Sequence, residues 1–420
     1  MTNLLYILPL YAIPFGYLFI PFGHLPLWLL SCLPLLHKPF ARINNKTISL
    51  FLLLIPLYSL LLSFLGSKYI PLGHLLALFT PFFYFSVYNF LIRKLSLHRV
   101  VIILSNCFLI AILILFIDIF LPSELLSSPY IVGFSGLGSN SFPQNRFAGS
   151  FTEPGHFGVL LNFLQPFFFY RRINRPFFKF FAFGVPLLVL NTIGSAPSFL
   201  CSLLCSFIFL FPEFSSKTLV NFSTSASSLF KLKLAKTSVF LLISFPLTLY
   251  FLGLSSRYIG YFSALISGTS TGDILSAGNR AARVRYVLGE IWQYPFGSGI
   301  APNWKVNQLG GEVTLDRATG DVFAVNVDSS ISSPIDLAWF AGIPFLLISI
   351  FFIVKSIFHT IKFISLCQDS SIRLLLLTAL WSFVSMIFRF SFVNNYYFPF
   401  LVFSLSFLMA VNSSIVKAHD

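Results

Sequence analysis

Apolar residues along this chain do not alternate with polar ones. They come in unbroken runs of roughly 17–23 residues, the length a helix needs to cross about 30 Å of hydrocarbon. Backbone polar groups in lipid must be satisfied within the segment, so such runs predict helices, and the lack of a two-residue alternation argues against a membrane barrel. About twelve spans are expected, near 3–21, 24–36, 48–66, 71–92, 99–121, 153–170, 177–193, 196–212, 237–255, 334–354, 371–390 and 395–412. The second is short and carries Pro26 and Pro34. The first lacks a basic leader and an A-x-A site, so it reads as a span, not a cleaved signal peptide. The predicted class is an all-α polytopic membrane protein. It has three parts: residues 1–255 with nine spans and an external loop at 121–152, a large polar loop at 256–333, and residues 334–420 with three spans and a short tail.

The loop Ser256–Ser333 breaks the apolar pattern and is long enough to fold as a cap over a site at membrane level. Within it Ser276-Ala277-Gly278-Asn279 precedes a stretch that predicts a helix from about Arg280 to Tyr294, with Asn279 as N-cap. Val284, Val287, Leu288 and Ile291 fall at helical spacing and predict one apolar face, with Arg280 at its head, Arg283 beside it and Arg285 projecting away. Pro295 ends this helix and Phe296-Gly297-Ser298-Gly299 forms a turn.

Composition agrees with the pattern: 56% of residues are hydrophobic and only 10% charged, too apolar for a soluble globule. Charge placement adds the orientation. With twelve spans and a cytoplasmic N-terminus, one side holds 18 of the 27 lysines and arginines, with Glu213, Asp369 and Asp420 as its acids. The positive-inside rule makes that side cytoplasmic, both termini included, and puts the loop 256–333 outside. The basic residues sit in short loops close to the bilayer, which suits anionic lipid and not nucleic acid. The five cysteines fall in spans or on the cytoplasmic side, so no external disulfide framework or cysteine zinc site is expected.

Candidate chemistry gathers at the outer ends of the spans. In Asn145–Gly158, Thr152 is a suitable N-cap and Pro154 a first-turn residue, which puts Glu153 and His156 on one face at the mouth of a span. Ionisable groups near a bilayer usually face a polar cavity, although Glu153 also suits a helix N-terminus electrostatically and His156 suits packing. Arg146, Arg280 and Arg283 supply planar donor forks that fit phosphate or diphosphate oxygens. Asp316, Asp321 and Asp328 are spaced too irregularly for a calcium loop, and no D-x-D pair occurs. The small and polar run Asn191–Ser198 reads best as a close helix contact. Arg389 and Asn394–Tyr397, at the outer ends of the last two spans, are placed to border the site, and interfacial anchoring explains the tyrosines equally well.

These segments resemble the O-antigen and capsule polymerase family, part of the group that also contains O-antigen ligases. The resemblance rests on R-F-A-G-S-F-T-E-P-G-H-F-G (Arg146–Gly158), A-G-N-R-A-A-R (Ala277–Arg283), W-Q-Y-P-F-G-S-G (Trp292–Gly299) and N-V-D-S-S (Asn326–Ser330). Such polymerases are described with an Arg-to-Gly spacing in two external loops one residue shorter than the eleven-residue intervals here, Arg146 to Gly158 and Arg285 to Gly297. Arg280, Arg283 and Arg285 therefore stand as joint counterparts. Ligases of the group resemble the same plan but typically use a histidine in the large loop, and loop 256–333 has none.

The resemblance implies a metal-independent, cofactor-free glycosyltransferase in a bacterial inner membrane. It would move a glycan from an undecaprenyl-diphosphate carrier to the non-reducing end of a second lipid-linked repeat unit, with membrane lipids around it and a chain-length regulator as a further partner. The implied catalytic residues are Glu153, His156, Arg280 and Arg283. The implied substrate-binding residues are Arg146, Arg285, Gly149, Gly297, Gly299, Asn326 and Asp328. The alternatives are an O-antigen ligase and a polysaccharide flippase or transporter, the latter expected to carry charges or broken helices at mid-membrane.

Overall fold

The computed structural model describes residues 2–15, 17–20, 23–35, 46–66, 72–120, 154–193, 195–211, 287–289, 291–299, 313–315, 322–324, 332–391 and 399–419. Its helices are α1 (Thr2–Tyr11), α2 (Leu27–Cys32), α3 (Lys46–Leu65), α4 (Leu72–Leu95), α5 (Leu97–Phe120), α6 (Pro154–Arg172), α7 (Phe178–Leu188), α8 (Ala196–Leu210), α9 (Ser333–Ala341), α10 (Ile343–Leu366), α11 (Ser370–Phe390) and α12 (Phe400–His419). Among the described residues, α3, α5, α10 and α11 are long and apolar enough to cross a membrane.

Helix α6 is the axis of the bundle. Every residue from Phe157 to Phe169 is buried, so the helix has no solvent-facing or lipid-facing stripe, as expected of one packed on all sides. Phe108 of α5 stacks on Phe168 at 4.6 Å, and Arg171 donates to the Asn106 side-chain oxygen at 2.9 Å, which sets α5 antiparallel to α6. Phe163 packs on Phe400 and Phe403 of α12 at 5.0 and 5.5 Å, and Phe403 in turn packs on Tyr88 of α4 at 5.0 Å. Tyr84 accepts a 3.0 Å hydrogen bond from the Trp28 indole, which draws α2 to the same level. These contacts fix the relative heights of the helices. The C-terminal ends of α4 and α6, with Arg93, Lys94, Arg171 and Arg172, lie at one end. The opposite end, the mouth, is formed by the close of α3, α5 and α11 and the start of α4 and α6.

The periphery is greasy in the way a lipid-facing surface must be. Leu57, Leu61 and Phe64 of α3, Leu113 and Phe120 of α5, and Leu347, Phe351 and Phe358 of α10 are all exposed. An aqueous solvent would penalise that much apolar surface, whereas hydrocarbon does not.

Several expected spans are differently cut. The run expected as a span over 3–21 gives a ten-residue helix that stops at Tyr11. A 3-10 turn (Ile13–Phe15) and an antiparallel hairpin follow, with Tyr17–Ile20 paired to Gly23–Pro26. Pro14, Gly16, Pro21, Gly23 and Pro26 leave no uninterrupted stretch for a full helix there, and the second expected span is reduced to α2 and the turn Leu33–Leu35. The span expected over 334–354 divides at Gly342, and α10 continues to Leu366 through Lys355 and Lys362. Lysine stems lie along apolar surface while the ammonium reaches water, so a helix passes through such residues without stopping. The loop left before α11 is only Cys367–Asp369, and the Asp369 carboxylate caps α11 by accepting from Ser371 N at 2.7 Å.

The pair expected as spans seven and eight forms a shorter hairpin. Helix α7 ends in a π turn over Val189–Ile193, and α8 begins at Ala196. Asn162 of α6 donates to the Ser198 carbonyl at 2.9 Å, Gln165 donates to the Ser202 carbonyl at 3.1 Å, and Phe169 packs on Phe209 at 5.8 Å. Helix α8 therefore runs parallel to α6, starting roughly 10 Å below the α6 start at 1.5 Å per residue. Of the run Asn191–Ser198, Ser198 makes the close helix contact expected there.

If Phe163 holds the level of α4, α6 and α12, Phe163→Ala should cost about 3–5 kcal/mol. Leu113→Ala, on an exposed face, should cost little. Unfolding in mixed micelles checks this, and equal effects of the two changes would contradict the α6-centred packing.

Candidate functional site

Large-loop residues 287–289 and 291–293 are helical. Val287 and Ile291 are buried in one cluster with Leu78 of α4 and Ala338, Trp339 and Phe340 of α9. Val287 and Ile291 of the expected apolar face thus pack on the membrane helices, while Val284 lies outside the described residues, and one correction applies. Leu288, expected on that face, is exposed, because the contact is a narrow i, i+4 seam and the residue after Val287 lies about 100° around the helix.

The chain then turns at Pro295 and presses Phe296–Gly299 into the break between α9 and α10. Ser298 N donates to the Trp339 carbonyl at 2.8 Å, Gly299 N to the Phe340 carbonyl at 3.2 Å, and Ile343 N to the Pro295 carbonyl at 2.8 Å. The Ser298 hydroxyl adds a 3.1 Å bond to the Trp339 carbonyl, and the Tyr58 hydroxyl of α3 donates to the Phe296 carbonyl at 3.0 Å. A helix break leaves orphan carbonyls and amides, and here the loop takes up several of them.

Three glycines make the approach possible. Gly297, Gly299 and Gly342 have φ of +100°, +82° and +93°. A Cβ on Gly297 would lie 2.7 Å from the Phe340 carbonyl oxygen, one on Gly299 would lie 2.7 Å from Ser63 N, and one on Gly342 would lie 2.7 Å from the Phe296 carbonyl oxygen. Backbone meets backbone at each point, so no side-chain rotation relieves the contact. A substrate-binding role for Gly297 and Gly299 is what the resemblance implies. Their geometry already has a structural reason, which is to seat the large loop on α3 and on the α9–α10 break.

On the far side of the mouth, α6 opens with Pro154, as expected of a proline at a helix start. His156 is half-buried in its first turn. Arg389, in the last turn of α11, is almost wholly buried, and its Nη2 donates to the Gly155 carbonyl at 3.0 Å. A guanidinium near a helix C-terminus is favoured by the carbonyl dipoles there. Two further acids lie buried in apolar helices: Asp118 near the end of α5, and Asp336 in the first turn of α9, the helix that grips Ser298 and Gly299. The sequence reading singled out neither. The signal was present, since a carboxylate inside an apolar run is a functional-site candidate by default.

Of the sequence-derived site residues, His156, Gly297 and Gly299 are placed at the mouth. Arg146, Gly149, Glu153, Arg280, Arg283, Arg285, Asn326 and Asp328 lie outside the described residues. The large loop also contains an antiparallel hairpin, Val313–Leu315 with Val322–Ala324. Its sequence signal was two short runs, V-T-L and V-F-A, on either side of a polar stretch that contains Gly320-Asp321. Compared with known protein families and with curated proteins, the chain matches no family model and no curated sequence.

The glycine contacts predict a contrast. Gly299→Ala and Gly342→Ala should each destabilise the protein by about 1–3 kcal/mol through left-handed backbone strain, with the steric contact in addition. Gly155→Ala, where a Cβ meets nothing within 4 Å, should be near neutral. Thermal unfolding in detergent measures all three, and a neutral Gly342→Ala would show that the loop does not need the break.

Proposed function

We propose that this protein is a polysaccharide polymerase of the O-antigen type, acting at the outer face of a bacterial cytoplasmic membrane with both of its termini inside. The observation that carries the reading is that two motif-bearing segments lie at the same end of the bundle. The turn Phe296–Gly299 of W-Q-Y-P-F-G-S-G is seated on α3 and α9, and the start of α6, in T-E-P-G-H-F-G, is tied to α11 by Arg389. The basic helix ends collect at the opposite end, as a cytoplasmic face would require. The runs at 3–21 and 24–36 fold as helices too short to cross, so at most ten of the twelve expected spans stay in this proposal, which leaves both termini on one side.

The reaction needs three things of such a mouth. The acceptor sugar hydroxyl must lose a proton as its oxygen attacks the anomeric carbon of the donor glycan. The bond from that carbon to the diphosphate oxygen must break as the new glycosidic bond forms. The departing polyprenyl diphosphate then carries the negative charge. Glu153 is proposed as the base, with His156 beside it in the first turn of α6. Arg280 and Arg283 are proposed to meet the charge that develops on the diphosphate, a task preorganised donors perform best in a water-poor site. Arg146 and Arg285 complete the donor site, and Gly149, Asn326 and Asp328 are assigned to glycan binding. No metal is assigned a step.

The buried polar seam of Asn162, Gln165, Ser202 and Ser206 between α6 and α8 gives the transporter reading its own support, because polar groups at depth can mark a path. Purified protein supplied with a lipid-linked repeat unit, with lipid A core present, separates the readings. Chain extension supports polymerisation, transfer to the core means a ligase, and translocation without a new bond means a flippase. Within that assay Arg280→Gln and Arg283→Gln should each lower the extension rate by about 10²-fold or more while leaving membrane expression intact. Glu153→Gln should reduce the rate by about 10²–10⁴-fold, and full-rate extension by that variant would remove Glu153 as the base.

A further inference from the structure

We infer that Arg389 is a positioning residue that holds the first turn of α6, and with it His156, in working register at the mouth. The inference rests on the polymerase reading for its kinetic consequence, but its structural content stands apart from it. Among the described residues Arg389 is one of the largest fully buried side chains, whereas the other arginines and lysines whose burial is described are partly or fully exposed. A buried guanidinium is expensive unless its donors are used. Its Nη2 reaches 3.0 Å to the carbonyl of Gly155, across 234 residues of sequence.

The site of that bond matters more than its strength. Gly155 is the second residue of α6, in the turn where a helix frays most readily. Just below, α6 is buried on every side and cannot move. Above Pro154 the chain leads into the segment that carries Glu153. The first turn is therefore the hinge between a fixed helix and the reactive segment, and Arg389 spans it from α11. Gly155 itself is under no steric constraint, since a Cβ there would meet nothing within 4 Å. At that residue it is the arginine that reaches across from α11, and the buried Phe157 anchors the other end of the turn. One cation thus ties the outer end of α11 to the first turn of α6.

A positioning role differs from direct substrate contact in what it changes. Loss of the tie should misplace the reactive groups without removing any contact to donor or acceptor. Arg389→Lys and Arg389→Gln should then lower kcat by roughly 10- to 100-fold with KM within about twofold of the wild type. Lysine keeps the charge but not the fork, so its variant should be the milder.

The direct test needs no activity. All five native cysteines are buried, so a His156→Cys probe can be labelled with a membrane-impermeant maleimide over a low background. Its labelling should speed up roughly tenfold in Arg389→Gln as the first turn opens, and by an intermediate amount in Arg389→Lys. Unchanged labelling in variants that elute as folded protein would overturn the inference, as would a raised KM with kcat intact, which would make Arg389 a substrate ligand. Should Arg389→Gln fail to fold, Arg389→Lys and hydrogen exchange on the wild type decide. Amides 156–160 protected like those of 161–168 support the tie, and unprotected ones refute it. Failure of the wild type to extend chains would sink the polymerase reading and leave the labelling result standing.

Discussion

Helix α6 is enclosed on every side, and much of the structure is arranged to meet that condition. A helix in a bilayer normally turns one stripe to lipid and hides any polar groups on the other. Here no stripe is free, so Asn162 and Gln165 must find partners on the neighbouring helices, and they take them from backbone carbonyls of α8. The price is that α8 has to run alongside α6 in one register, because the carbonyls of Ser198 and Ser202 are the acceptors. Aromatic packing covers the remaining faces, with Phe108, Phe400 and Phe403 each meeting a phenylalanine of α6. An enclosed helix is also a rigid one, and a reactive segment that begins at its end inherits that rigidity.

The large loop meets this rigid body by a different kind of contact. At the turn over residues 296–299 backbone approaches backbone at the Gly342 break and at Ser63, and the Tyr58 and Ser298 hydroxyls add one bond each. Such a seat depends on the absence of Cβ atoms. The loop therefore cannot slide along α3 without losing several hydrogen bonds at once. Near the other edge of the mouth a single charged side chain joins α11 to α6. The two edges are held by opposite means, one by the smallest residue and one by the most donor-rich.

The apolar runs made the long helices legible because a bilayer-spanning helix needs nothing more than length and composition. Helices α3, α5 and α11 fall close to where the runs place them. Legibility ended where proline and glycine divide an apolar run into pieces, as over residues 12–26, or where lysine does not end a helix, as at Lys355 and Lys362. The buried face of the 287–293 segment was read from its spacing, but the period admitted Leu288, which the narrow contact excludes. At the site, the turn glycines and His156 were marked by their motifs. Arg389 was noted only as a residue bordering the outer side, because a sequence gives no sign that its partner is a backbone carbonyl 234 positions away. Asp118 and Asp336 were visible as carboxylates in apolar runs, but that they are buried appears only in the packing.

The seat of the large loop also imposes an order of assembly. Tyr58 and Phe296, joined by a hydrogen bond, are 238 residues apart, and Gly342 follows later still. At about 5–20 residues per second of synthesis, the end of α3 waits roughly 10–50 s for the turn that will cover it. The turn itself has no complete receptor until α9 and α10 have entered the bundle. The mouth can thus close only near the end of translation. A ribosome stalled before Gly342 would leave inserted helices without the surface that seats the loop.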